Sequence, residues 1–327
     1  MKILLAIIIT ATLSFGCAML EGEQTTTDSG GGGTTSAPTG GGDSTPTVAA
    51  DSSVTSGRIA AGQYHTCAIK ADDTVQCWGD NGNGQSSVPS GLGSVKSVGA
   101  GYAHTCAIKS DDTVQCWGNN GDGQSTVPSG LGSVKSVSAG AYNNCAIKAD
   151  DSLQCWGHNG FGRSTVPVGL GSVKNVAAGY AHTCAIKADD TMQCWGWDNY
   201  GQSTVPVGLG SVKSVGASGH YTCAIKADDT VQCWGSTPIV PADLGSVKSV
   251  AVDQRHTCAI KADESLQCWG NQHPSHDYGQ TSVPSGLGSV KSVAAGHYHT
   301  CAIKVDDSLQ CWGSDSQGQS TVPAELQ

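Results

Sequence analysis

One string of fifteen residues recurs seven times, and no other feature constrains the fold as much. HTCAIKADDTVQCWG occupies residues 65–79. It returns as HTCAIKSDDTVQCWG from 104, NNCAIKADDSLQCWG from 143 and HTCAIKADDTMQCWG from 182. YTCAIKADDTVQCWG follows from 221, HTCAIKADESLQCWG from 256 and HTCAIKVDDSLQCWG from 299. The first cysteines of the copies (Cys67, Cys106, Cys145, Cys184, Cys223, Cys258, Cys301) lie 39, 39, 39, 39, 35 and 43 residues apart. A unit of this length buries its apolar face only against its neighbours, so the array forms one domain, residues 53–327.

Each unit reads as short apolar runs separated by Gly, Pro and Asp, with no apolar 3.6-residue period. In the second unit three strands are predicted, Val95–Ala100, His104–Lys109 and Thr113–Gly118. A fourth extended segment is expected at Ser125–Val127, held to an edge by Pro128. Four antiparallel strands per unit and seven units predict an all-β, seven-bladed propeller. An open β-solenoid is the alternative. The first unit begins at Arg58-Ile59-Ala60-Ala61-Gly62 and the last stops short of a following strand, so one blade is expected to draw on both termini and remove free sheet edges.

Residues 1–16 read as an export signal: Lys2 precedes the apolar run LLAIIITATL. Ser14-Phe15-Gly16-Cys17 resembles a bacterial lipobox, which makes Cys17 the expected lipidation site; an ordinary signal peptide is the alternative. Residues 17–52 are a Thr, Ser, Gly and Pro tract that cannot form a core. As a flexible tether it would reach about 30 Å. The expected location is the outer membrane or cell surface, with membrane contact through the lipid alone.

The stretch AGYAHTCAIKSDDTVQCWGNNGDGQSTVP, residues 100–128, resembles the regulator of chromosome condensation repeat: AG, two variable residues, His, a strand, a turn, a strand ending in WG, then Asn and GQ. The GQSTVP continuation is most similar to secreted bacterial seven-bladed members, β-lactamase inhibitory propellers among them. The resemblance implies the propeller fold. It implies little about function, because propellers host many activities. The paired cysteines and the export signal argue against the nuclear roles of that family. The formal net charge of −10 argues against a nucleic-acid partner.

Fourteen of the 15 cysteines fall into pairs ten residues apart. The pairs are Cys67 and Cys77, Cys106 and Cys116, Cys145 and Cys155, Cys184 and Cys194, Cys223 and Cys233, Cys258 and Cys268, and Cys301 and Cys311. If Cys67 faces Cys77 across a hairpin, the loop is Ala71-Asp72-Asp73, and a non-hydrogen-bonded pair is close enough for a disulfide. Each bridge would contribute roughly 2–3 kcal/mol on the loop-entropy estimate. Zinc is the competing reading, but it needs four ligands and a unit offers two.

The DD pairs hold fourteen of the 27 acidic residues. They lack the spacing of a calcium loop and read as turn formers. The histidines two places before the first cysteine (His65, His104, His182, His256, His299) read as packed residues bonding a neighbouring blade's backbone. The tryptophans of the WG pairs read as inter-blade wedges. No nucleophile motif, phosphate loop or metalloprotease motif is present, so no catalytic, cofactor or metal site is expected.

Comparing the seven copies locates the candidate site. The DD turn and the SGLGS connection share one end and hardly vary. The turn before the histidine and the loop after WG share the other end and vary strongly. That end carries Tyr64, Tyr102, Tyr142, Phe161, Arg163, Tyr180, Trp197, Tyr200, Arg255, His273, His276, Tyr278 and Tyr298. Aromatic residues and Arg dominate binding hot spots, whereas drift in unconstrained loops would not favour them. The expected function is a non-enzymatic, surface-anchored scaffold that binds an extracellular protein. A propeller lectin taking a glycan, or a structural envelope component, are the alternatives.

Overall fold

A computed structural model describes residues 58–236, 239–270 and 274–327. The signal, the tether, Cys17 and His273 lie outside the described residues. The described chain folds into seven antiparallel sheets of three strands each. In the second blade the inner strand is Val95–Ala100, the middle strand His104–Lys109 and the outer strand Val114–Gly118. The other blades repeat this, except that the first blade's inner strand is only Ile59–Ala61. Among the described residues no helix is long and apolar enough to cross a membrane.

The hairpin explains why the string repeats so closely. Cys67 pairs with Cys77 and Ile69 with Val75. Lys70 N donates to Thr74 O at 2.8 Å and Asp73 N to Lys70 O at 3.1 Å. Asp73 sits at φ 62, so the loop is a tight turn closed by one left-handed residue. Asp tolerates that conformation better than most residues. Asp72 fixes the turn by accepting from Thr74 N at 3.0 Å and Thr74 Oγ1 at 2.6 Å. All seven cysteine pairs form disulfides, each across Cα atoms 4.0 Å apart. The two-ligand-per-blade zinc alternative is thereby removed.

The cores lie between blades rather than within them. Ile108 of the second blade packs with Leu131, Val134, Val137, Ala146 and Trp156 of the connection and third blade. Burying each aliphatic side chain of this kind stabilises the fold by about 1.5–3 kcal/mol. Equivalent clusters fill every junction, including the one between blades seven and one, where Ile59, Ala68 and Trp78 meet Ile303, Leu309 and Val322. The ring is therefore closed.

Two expectations need correction. Ser125–Val127 is not a strand: Thr126 N bonds Gly123 O in a turn, and Val127 packs into the inter-blade core without pairing. Gly123 at φ 78 and Pro128 leave no room for a ladder there. The ring also closes without a shared strand. The C-terminal tail instead lies on the first blade, where Gln319 O accepts from Thr66 Oγ1 at 2.8 Å and Trp78 Nε1 at 3.0 Å.

Candidate binding face

The variable end is rigid because its loops are tied from beneath. After the first WG, Gly82 N donates to Asp80 Oδ1 at 3.0 Å and Asn83 N to Gln85 Oε1 at 2.9 Å. Gln85 is buried and its Nε2 donates to Asp80 Oδ2 at 2.7 Å. The Gln85 carbonyl then serves the next blade, accepting from Trp117 Nε1 at 2.9 Å and Thr105 Oγ1 at 3.0 Å.

This contact fixes a proton. Thr105 spends its hydroxyl hydrogen on Gln85 O, so it accepts from His65 Nε2 at 2.9 Å, and the neutral ring carries its hydrogen on Nε2. The relay of ring, side chain and loop carbonyl recurs around the circle. His104 uses Asn144 and Gln124 O, His182 uses Thr222 and Gln202 O, and His299 uses Thr66 and Gln319 O. Tyr221 stands in for the histidine in blade five and donates to Asp253 O at 2.8 Å. The histidines are interior, as the repeat pattern suggests, but their partner is a threonine or asparagine side chain and not the neighbouring backbone. Burial pushes His65 and His299 down to about 3, and His104, His182 and His256 down to about 4.

On this belt stand the aromatic residues, in three groups. Tyr102, Tyr142 and Tyr180 form the first, with centroids 5.2 Å apart for Tyr102 and Tyr142 and 5.6 Å for Tyr142 and Tyr180. Burial, then its tyrosine neighbours, push the Tyr142 phenol up to about 12. Phe161, Trp197 and Tyr200 form the second: Phe161 lies tilted on Trp197 at 5.8 Å, and Trp197 and Tyr200 meet edge to face at 5.4 Å. Tyr64, Tyr278 and Tyr298 form the third, with His276 stacked on Tyr298 at 6.0 Å and Arg255 over the same ring at 5.9 Å. Phe161, Tyr200 and Tyr278 are the most exposed, at 57%, 53% and 50%.

Arg163 is the exception. It is only 2% exposed, and its Nη1 donates to Tyr180 O. Its own carbonyl accepts from Trp195 Nε1 at 2.9 Å and Thr183 Oγ1 at 2.9 Å, the role played elsewhere by the buried Gln. It is a strut under the rim, not a free contact residue. Sequence reasoning also missed His158 and His220. His220 packs on Trp197 at 5.2 Å and Tyr200 at 5.0 Å, and His158 on Tyr142 at 6.4 Å. Their signal was position alone: both occupy the variable loops.

The opposite end is uniform and self-satisfied. Lys96 Nζ meets Asp112 Oδ1 at 2.5 Å, and the pairing repeats with Lys135, Lys174, Lys213, Lys248 and Lys291. Every lysine of the repeats stands on the VKS-type or AIK segments; the variable loops contain none. The inner strands open on the variable end into an axial mouth of about 130 Å³, lined by Gln63, Tyr102, Tyr180, Asp253, Gln254 and His297 among small residues. Among the described residues, no three His, Cys, Asp or Glu side chains are placed to hold a metal ion.

The model of the regulator of chromosome condensation (RCC1) repeat matches residues 58–85, 95–124, 134–163, 173–202 and 290–319. No curated protein sequence matches the chain. Among solved structures, it is similar to the ectodomain of the Physcomitrella patens receptor kinase CR4, with TM-score 0.68 and 24% identity over 80% of this chain and 73% of that one. The CRINKLY WD40 ectodomain of the Arabidopsis thaliana receptor kinase ACR4 gives TM-score 0.68 and 24% identity over 79% and 95%. The structure of Kap60 bound to yeast RCC1 (Prp20) gives 0.58 and 16% over 71% and 73%. These identities speak to the fold alone; five of the seven blades carry matched RCC1-type repeats, and the chain folds as a seven-bladed propeller.

Proposed function

We propose that this propeller is a binding scaffold that recognises an extracellular protein through its variable, aromatic end. One observation carries the reading. Seven blades share one hairpin, yet the two ends of that hairpin diverge: one carries the same cation–carboxylate pair in every blade, the other three different aromatic groups. The loops bearing Phe161, Trp197, Tyr200 and Tyr278 are pre-organised by internal hydrogen bonds, Tyr200 N to Gln202 Oε1 and Tyr278 N to Gln280 Oε1 among them, so little entropy is lost when they are engaged. The seven disulfides fit an oxidising compartment. A lipid on Cys17 and the tether of residues 17–52 would hold the domain at a surface. The neighbouring structures include two receptor ectodomains and an RCC1 bound to Kap60, which supports a protein-binding role for the fold.

The test places a photo-cross-linking residue at Tyr200 and, separately, at Lys109 on the opposite end. A single protein trapped from the host surface fraction through position 200 alone supports the reading. Equal trapping from both positions overturns it. Glycan-array binding lost on Trp197→Ala would replace the protein partner by a sugar.

A further inference from the structure

The residue closing each inner strand is Gly62, Gly101, Gly140, Gly179 and Gly296 in five blades, Ser218 in blade five and Asp253 in blade six. The glycine has a steric cause. A Cβ at Gly62 would fall 2.3 Å from His65 Cε1 and 2.5 Å from Gly101 O, and one at Gly101 would fall 2.2 Å from His104 Cε1. Blade six places a full carboxylate where most blades exclude a side chain, although it keeps its belt histidine, His256.

Asp253 lines the axial mouth and, among the described residues, is the only carboxylate that does. No lysine or arginine among the described residues lines it. Its Oδ1 is buried and receives no hydrogen bond; His297 Nδ1 stands 3.5 Å away. The side chain is 24% exposed, and with Oδ1 covered that exposure belongs to its remaining atoms. A carboxylate at a solvent-open cavity, its covered Oδ1 already without a donor, gains from a cation that brings N–H groups to its exposed side. Tyr102 and Tyr180 also line the mouth, and phenol rings favour cations over neutral groups.

We propose that the axial mouth is a subsite for one guanidinium or ammonium group carried by the partner, with Asp253 as its counter-ion. This deepens the reading of the variable end as a binding face and rests on it for the identity of the carrier. Rim contacts around the axis orient the partner, and its cationic side chain enters at the centre, where contacts are best shielded from water.

The test titrates the intact chain with propylguanidinium, butylammonium and neutral propylurea at low ionic strength, following the His297 ring signal by NMR. Either cation should move that signal saturably, and the two probes distinguish an arginine from a lysine carrier. Propylurea should not. Asp253→Asn should weaken cation binding about ten- to a hundredfold, the range of a lost charge-assisted bond. Asp253→Gly, which restores the residue used by five other blades, should do the same in a chain that keeps its fold. Equal response to propylurea, no response to either cation, or unchanged binding by both variants overturns the proposal. Cross-linking through Tyr200 reads the wider function separately. Trapping that persists without cation binding overturns the axial subsite alone. Cation binding without any trapping overturns the protein-partner reading.

Discussion

Acidification should unfold this propeller well above the pH at which its carboxylates protonate. Five belt histidines are buried with zero exposure, and each has an Nδ1 without a hydrogen-bond partner. Burial lowers their folded values to about 3 for His65 and His299 and about 4 for His104, His182 and His256, from an ordinary value of 6.5. The sign follows directly. Above 6.5 both folded and unfolded chains hold these rings neutral, and stability is whole. Below it the unfolded chain takes up protons that the folded chain refuses, so stability falls until the folded values are reached.

Five such groups give a limiting slope of roughly 7 kcal/mol per pH unit. By about pH 5.5 the accumulated loss is also roughly 7 kcal/mol, comparable to the whole stability of an ordinary domain. The assay is urea unfolding at a series of pH values with the disulfides intact, read by tryptophan fluorescence. Stability should collapse between pH 6.5 and 5. His104→Asn, which copies the residue of blade three, should reduce the slope by about one fifth whatever it does to stability at pH 7. A transition below pH 4, or a slope that His104→Asn leaves unchanged, would refute the reasoning.

Two further outcomes follow from the packing. Gly101→Ala puts a methyl group 2.2 Å from His104 Cε1 and 2.3 Å from Gly140 O, and should cost about 2–3 kcal/mol in chemical denaturation; a loss below half a kcal/mol would show that the belt yields. Truncation after Gly318 removes the carbonyl that accepts from Thr66 and Trp78 and the Val322 packing, so the first and last blades should lose hydrogen-exchange protection while Val134–Gly157 keeps it.

Much of this was legible in the sequence because a ten-residue cysteine offset with a DD centre admits few geometries. The hairpin, its three-residue loop and its disulfide follow from strand pairing alone. The Ser125–Val127 segment misled because an apolar residue followed by Pro resembles an edge strand. Its valine is buried by the neighbouring blade, a non-local contact that no local pattern encodes. The relay threonines were invisible for a similar reason. Thr105 reads as an ordinary strand residue, and its partners His65 and Gln85 lie 40 and 20 residues away. Arg163 was misplaced because arginine is usually exposed. Its alignment with Gln85, Gln124 and Gln202 marked it as structural; residue type was the weaker guide.

That misplacement shows how the scaffold divides its labour. A position whose carbonyl serves the next blade tolerates Gln or Arg alike, because the backbone oxygen does the bonding. The side chain is then free to differ, and in blade three it reaches out to brace Tyr180 and lie 5.6 Å from the Phe161 ring. Asp253 repeats the principle on the axis: its carbonyl accepts from Tyr221, while its carboxylate changes the chemistry of the mouth. Closure of the ring therefore depends on main-chain oxygens, on the buried Thr and Trp that reach them, and on the His rings bonded to those Thr. Variation accumulates above them, in the loop residues whose side chains face the open end, such as Phe161, Tyr200 and Tyr278. The repeated string is what permits that variation, since every blade that preserves the string delivers its variable residues to the same height on the same face.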